Sequence, residues 1–343
     1  MKKYGTLSDG RLVNEYMISN VNGMSLHAIN YGGIITKLCV PNTDSRVVNV
    51  VLGYDSLEGY CADTFFMGAL IGPCANRIAQ GCCEIDGKRY CFEKNNGENH
   101  LHGGSIGFHK SWWNIEKKIT EVGEEALVLS RIRKDGEAGY PGNMNIRVQY
   151  TLSNKNELCV DYYAETDAKT IANFTQHSYF NLSGGGEKTI LNHELQIPAY
   201  YFLPVSSEGI PIAGSVPVEQ EGMDLRKSCR VGSFLSTDTE QQKRAQGLDH
   251  CFVLKHEPSN DMRFAAQLYA PETKISVQIF TTQPAIQCYT GNFLQDSFQK
   301  HQGICLETQA YTNAIHEPDF PSVIIGPDFP YVERTVYQFN VGV

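Results

Sequence analysis

The sequence holds little that would tie it to a membrane, a nucleic acid or a metal. No apolar run reaches the length that a bilayer requires. The opening Met1-Lys2-Lys3-Tyr4-Gly5 has the charge of an export signal without the apolar stretch that follows one. Both features point to a chain that stays in the cytoplasm. Basic clusters are missing too, since 29 Lys and Arg stand against 38 Asp and Glu, for a formal net charge of -9. A surface of that sign repels phosphate backbones and anionic lipid, so neither nucleic acid nor membrane is an expected partner.

Paired cysteines are equally scarce. The eleven cysteines are odd in number, scattered, and nowhere spaced C-x-x-C. A zinc cage or a redox motif needs closely spaced thiols, so these read as reduced core residues. There is no P-loop, no G-x-G-x-x-G fingerprint, no G-x-S-x-G elbow and no H-E-x-x-H. No cofactor and no metal is expected. Helical patterns are few, and Thr237 to Ala245 is the best of them.

What is present is alternation. Met144 to Leu152 sets apolar against polar residues at every step, and Ile275 to Ile279 and Leu158 to Ala164 follow the same period of two. That period marks half-buried strands. Asp86-Gly87, Asn95-Asn96-Gly97 and Tyr140-Pro141-Gly142 supply the turns between them. With no repeat or linker to divide it, residues 1–343 read as one all-β domain, a large antiparallel β-sandwich of two face-to-face sheets with few short helices.

Four segments gather polar residues of catalytic type among glycines and aromatics. Ala75-Asn76-Arg77-Ile78-Ala79 places a guanidinium among small and apolar neighbours, where its fork can donate to several oxygens. Asn99-His100-Leu101-His102-Gly103-Gly104 sets histidines beside glycines that permit close approach. Its two histidines have no third ligand nearby in sequence, which argues against zinc. Thr175-Gln176-His177-Ser178-Tyr179-Phe180-Asn181-Leu182 embeds His177 in aromatics that would desolvate it. In Gly303-Ile304-Cys305-Leu306-Glu307-Thr308-Gln309, a strand would turn Glu307 away from Ile304 and Leu306, and a carboxylate there is costly unless paired or used. Gly247-Leu248-Asp249-His250 adds Asp249 as an acceptor, and Trp112-Trp113 reads as core and rim rather than as a stacking platform.

In this order the segments resemble the aldose 1-epimerase (galactose mutarotase) family along nearly the whole chain. The resemblance is carried by Leu52-Gly53-Tyr54, Ala75 to Ile78, Leu101-His102-Gly103-Gly104, Gly139-Tyr140-Pro141-Gly142, His177 to Leu182, Leu248-Asp249-His250, Tyr289-Thr290-Gly291-Asn292 and Leu306-Glu307-Thr308-Gln309. It implies the family's galactose mutarotase-like supersandwich and the interconversion of α and β anomers of a free hexose such as galactose or glucose. Carried over by motif, Glu307 is the catalytic base and His177 the catalytic acid. Arg77, His102, Asp249 and Asn76 are the residues that hold the sugar. The sequence departs from the family pattern at Gly72-Pro73-Cys74, at Gln176 and at Gln283-Pro284, none of which removes a catalytic group.

Three rivals bracket this reading. A glycoside hydrolase would need two carboxyl groups, Glu307 with Asp249, and would leave the histidines without a task. A non-catalytic sugar-binding module would need no matched acid and base. A hexose-6-phosphate 1-epimerase would need an added basic cluster. The expected assembly is a monomer or a weak homodimer.

Overall fold

Alternation in the sequence becomes alternation of environment in the computed structural model, which describes residues 1–44, 46–185, 188–254 and 261–342. Met144–Leu152 is a strand in which Met144, Ile146, Val148 and Tyr150 are buried while Asn145 and Arg147 face solvent. Its neighbours Glu125–Arg133 and Glu157–Thr166 pair with it antiparallel, setting Val148 opposite Leu129 on one side and Tyr162 on the other.

Among the described residues this strand belongs to a nine-stranded antiparallel sheet. The order is Asn114–Ile119, Glu125–Arg133, Met144–Leu152, Glu157–Thr166, Tyr331–Val341, Ile275–Thr281, Arg263–Ala270, Glu194–Gln196 and Cys229–Arg230. A six-stranded antiparallel sheet runs Tyr179–Phe180, Ile304–Gln309, Ala285–Tyr289, Asp249–Val253, Tyr201–Phe202 and Val216–Pro217. An N-terminal five-stranded meander, from Lys2–Thr6 to Val47–Asn49, completes the framework.

The core lies between these layers. Ile146, Val160, Val277 and Phe339 of the large sheet share one apolar cluster with Ile286, Ile304 and Leu306 of the smaller sheet. Burying such side chains contributes about 1.5–3 kcal/mol each before chain entropy is counted. Because Ile304 and Leu306 face this cluster, the other face of the same strand presents Cys305, Glu307 and Gln309. Cross-strand pairing extends that second face through Gln287 opposite Glu307 and through Asp249 opposite Tyr289. The polar residues of this strand and its neighbours are thus the back side of a hydrophobic core.

The helical reading at Thr237–Ala245 is right in kind and long at its start. The helix is Glu240–Ala245, because Thr239 caps it in a capping box with Gln242. Leu57–Ala62 and Val231–Leu235 are further short helices that periodicity did not reveal. Trp113 is fully buried and Trp112 lies at the rim under Arg11, as core and rim residues.

The Tyr140-Pro141-Gly142 turn is held by a buried cation. Arg133, 1% exposed, donates through Nη1 to Tyr140 O at 2.7 Å and through Nη2 to Pro141 O at 2.7 Å and Gly142 O at 2.8 Å. Tyr140 O also accepts from Gly136 N at 2.9 Å, and the guanidinium is the donor that serves Pro141 O and Gly142 O. Arg133→Met should therefore lower unfolding free energy by about 3–5 kcal/mol in urea titrations, and Arg133→Lys should recover little, since an ammonium cannot reproduce the fork.

Candidate active site

Glu307 and His177 meet. His177 Nε2 lies 3.6 Å from Glu307 Oε1, and both side chains are almost wholly buried. The imidazole is fixed from behind, where Cys305 Sγ stands 3.5 Å from Nδ1. Its backbone is pinned by His177 N to Ala69 O at 2.9 Å and by Gly68 N to His177 O at 3.0 Å. Gln176, one of the departures from the family pattern, reinforces this junction: its Nε2 donates to Gly68 O at 2.7 Å and its Oε1 accepts from Ser178 N at 2.8 Å. Gln283 sits away from the cleft and donates to Tyr331 Oη at 2.6 Å.

Burial drives the two groups in opposite directions. It pushes the Glu307 carboxyl well above the usual carboxylate range, with the negative Asp249 adding to the rise and Arg77 offsetting it. The same burial pulls His177 down to about 4. Glu307 Oε2 finds no hydrogen-bond partner among the described residues, nor does Gln287 Oε1 on the facing strand. Buried acceptors left open in this way are places where a ligand's hydroxyls can bind.

Around the pair lies a cleft of about 520 Å³, lined by Asn76, Arg77, His102, Asp249 and the pair itself. All six residues singled out from the sequence converge on it. Asp249 takes a hydrogen bond of 2.6 Å from Gln287 Nε2 on Oδ1, and its Oδ2 is 3.8 Å from Arg77 Nη1. Arg77 Nε donates to Asn96 Oδ1 at 3.0 Å, while Asn76 Oδ1 accepts from Arg77 N at 2.9 Å. Gly209 leaves room for this guanidinium, because a Cβ there would sit 2.6 Å from Arg77 Cζ.

The two neighbouring histidines have different roles. His100 is a structural residue, bonded to Glu93 O at 2.7 Å and to Tyr140 Oη at 2.8 Å. His102 faces the cleft, and its Nδ1 accepts from Asn76 N at 3.1 Å. Burial, followed by the nearby His177, keeps it well below the ordinary imidazole value, hence neutral. Its proton therefore resides on Nε2, as a donor into the cleft.

That tautomer bears on metals. Tertiary structure supplies the third group that sequence spacing lacked, since ligating atoms of His102, His177 and Glu307 lie within 4.8 Å of one another. Yet one ring nitrogen of His102 spends its lone pair on Asn76 N–H and the other carries the proton. The cluster is set up as donors and acceptors for a polar organic ligand, and it offers no free His102 lone pair to a metal ion.

Sequence reasoning missed the residues that brace this set. Asn96 was legible only as part of a turn, and Gln287 carried no motif. Phe66, at φ 59°, packs edge-on to His102 and tilted against His177, with ring centroids 4.6 and 5.8 Å away. It is carried by a segment anchored through Asp63, whose carboxylate accepts from Phe65 N at 3.0 Å and Met67 N at 2.8 Å. Lys110 Nζ holds the carbonyls of Tyr60, Cys61 and Asp63 at 3.0–3.1 Å.

The sequence model of the aldose 1-epimerase family matches residues 14–338. A galactose mutarotase from Bos taurus is 40% identical over 91% of this chain and 90% of its own, and one from Sus scrofa 38% identical over 98% and 97%. The crystal structure of a galactose 1-epimerase from Lactobacillus acidophilus superposes with a TM-score of 0.85 at 29% identity, covering 98% of this chain and 97% of that one.

The buried pair should be visible in stability measurements. An imidazole held near 4 in the folded protein and at 6.5 in the unfolded chain costs folding stability as the pH falls between those values. At 1.36 kcal/mol per pH unit the loss is about 3 kcal/mol. Urea titrations of His177→Asn between pH 7 and pH 4 should show an acid-side loss smaller by about that amount. Glu307→Gln should act on the opposite side, gaining stability over the parent as the pH rises above the ordinary carboxylate value, because the parent must ionise a group its fold prefers neutral.

Proposed function

The chain belongs to the aldose 1-epimerase family, and on that premise we propose that Glu307 and His177 exchange the anomers of a free hexose by passing one proton through the sugar. The protein is a carbohydrate isomerase that interconverts α and β forms of an aldose. The observation that carries the residue assignment is the 3.6 Å approach of a buried carboxyl and a buried imidazole at the floor of a cleft of monosaccharide size.

Opening a hemiacetal requires a proton to leave the C1 hydroxyl while another reaches the ring oxygen. Glu307 as carboxylate takes the first and His177 as imidazolium gives the second. The result is a carboxylic acid, a neutral imidazole and an open-chain aldehyde. Rotation about C1–C2 presents the other carbonyl face, and reclosure returns both protons. No bond to the protein forms at any stage. Each well-placed group supplies about 10²–10⁴-fold.

The empty site favours the acid–imidazole arrangement, which has the same proton count as the carboxylate–imidazolium one. The pair thus carries one proton in all, and the sugar's hydroxyls shift its partition. Nδ1 of His177 keeps its own proton against the Cys305 sulfur, leaving Nε2 as the nitrogen that cycles. His102 Nε2–H, Arg77 and Asp249 hold the remaining oxygens so that only C1 turns. Asn76 aligns Arg77 and sets the tautomer of His102.

A neutral sugar suits this cleft better than a sugar phosphate. Its guanidinium groups, Arg77 and Arg244, share the cleft with the carboxyl groups of Glu208, Asp249 and Glu307, and each already donates to an oxygen of the protein. Galactose and glucose, with hydroxyls alone, are the substrates we infer. A cytoplasmic setting accords with eleven unpaired thiols.

Polarimetry of freshly dissolved α-galactose or α-glucose tests the assignment. Glu307→Gln should reduce acceleration to the background rate with the fold intact, and His177→Asn should do comparable damage. Wild-type traces from the first, or more than half the activity from the second, would remove that residue from proton transfer. The pH dependence of kcat/KM should be bell-shaped. It should fall near pH 4, as the pair gains a second proton, and again on the alkaline side, as it loses its last. A profile flat from about pH 3 to about pH 10 would exclude a single shared proton.

A further inference from the structure

Between the segments that carry Arg77 and Asn96 runs a hairpin that anomer exchange does not use. Its strands Cys82–Ile85 and Lys88–Cys91 pair antiparallel around Asp86-Gly87, both at positive φ. Pairs along such a ladder alternate between hydrogen-bonded and non-hydrogen-bonded. The bond from Phe92 N to Gly81 O at 2.8 Å fixes the phase, and it leaves Cys82 and Cys91, one step inward, as a non-hydrogen-bonded pair. Such pairs hold their Cα atoms about 4.5 Å apart. A disulfide spans Cα separations of about 4.4–6.8 Å.

The side chains agree with the backbone. Cys82 is half-buried and Cys91 exposed, whereas the adjacent Cys83 turns to the opposite, buried face. Arg89 lies beside this pair. Its Nη2 is 3.5 Å from Cys82 Sγ, and Cys82 first, then Cys91, pushes the guanidinium up. Cys82 and Cys91 are direct cross-strand partners, and Arg89, two residues from Cys91, shares their face.

We propose that Cys82 and Cys91 form a dithiol that closes to a cross-strand disulfide on meeting a small-molecule disulfide such as oxidised glutathione. The exposed Cys91, as thiolate, attacks one sulfur of the oxidant and expels a glutathione thiolate. The Cys82 thiolate then attacks the Cys91 sulfur of the mixed disulfide and expels the second. Two protein thiols are oxidised, one glutathione disulfide is reduced to two thiolates, and those thiolates take up the two protons that the protein thiols release. The bridge would tie the base of the hairpin, next to the bond between Phe92 and Gly81, and so fix the spacing of the segments that lead to Arg77 and Asn96.

Incubation of the full chain with oxidised glutathione, alkylation of remaining thiols and peptide mass analysis tests this. The expected product has lost two hydrogens and joins the peptides containing Cys82 and Cys91, and dithiothreitol reverses it. Cys82→Ser, which lacks the resolving thiol, should instead accumulate a glutathione adduct on Cys91. A glutathione adduct that persists on Cys91 of the parent chain while Cys82 stays alkylatable overturns the proposal. So does a bridge mapped to any other pair, or a Cys82→Ser chain that still loses two hydrogens.

Discussion

A carboxyl and an imidazole buried together at one cleft is the constraint on which the rest of this structure depends. Taken singly, each would pay a desolvation cost on charging, and each resists it by shifting its proton affinity, the glutamate upward and the histidine down to about 4. Taken together, they offer two arrangements of one proton that differ only in which atom holds it. In the mechanism we propose, ring opening and ring closing are the passage between those arrangements by way of a substrate. An active site with either group solvated would lose those opposed shifts, because water would hold each proton affinity near its ordinary value.

Two kinds of structure hold the pair. Glu307, Gln287 and Asp249 stand on one face of a sheet whose other face is core, so their spacing follows from strand register. Such positions are rigid, since moving one would disturb packing beneath. His102 and Phe66 come from turns and loops instead, and Arg77 from a two-residue strand paired with His100–Leu101. These are held by local devices, among them the Asn76 amide, the Asp63 carboxylate and the Lys110 ammonium. The cleft thus draws on both, with Glu307 and Asp249 on strands and His177 on the short link between Thr175–Gln176 and Tyr179–Phe180.

Much of this was legible in the sequence where local rules decide it. Met144–Leu152 alternates because one face meets core and the other water, and the strand was read to its ends. Ile304–Gln309 does not alternate in burial, since both faces are covered, and periodicity could say nothing of it. There the motif around Glu307 carried the reading. Gln287 lies in a similarly covered strand and has no such motif, so its contact with Asp249 was invisible until strands were paired. Phe66 is set by a loop whose shape depends on a lysine far along the chain. Spacing within the sequence also hid the cluster of His102, His177 and Glu307, which tertiary contacts alone assemble.

The large sheet has a keystone. Tyr331–Val341 lies between Glu157–Thr166 and Ile275–Thr281, so the two halves of that sheet touch only through a strand that follows every other one described here. A ribosome delivers the halves first and their joint afterwards. Until that segment leaves the exit tunnel, two unpaired edges wait for it, each able to recruit a stray strand. Competence therefore arrives late and all at once during synthesis, and chaperone protection of those edges is the demand that this order of strands places on the cell.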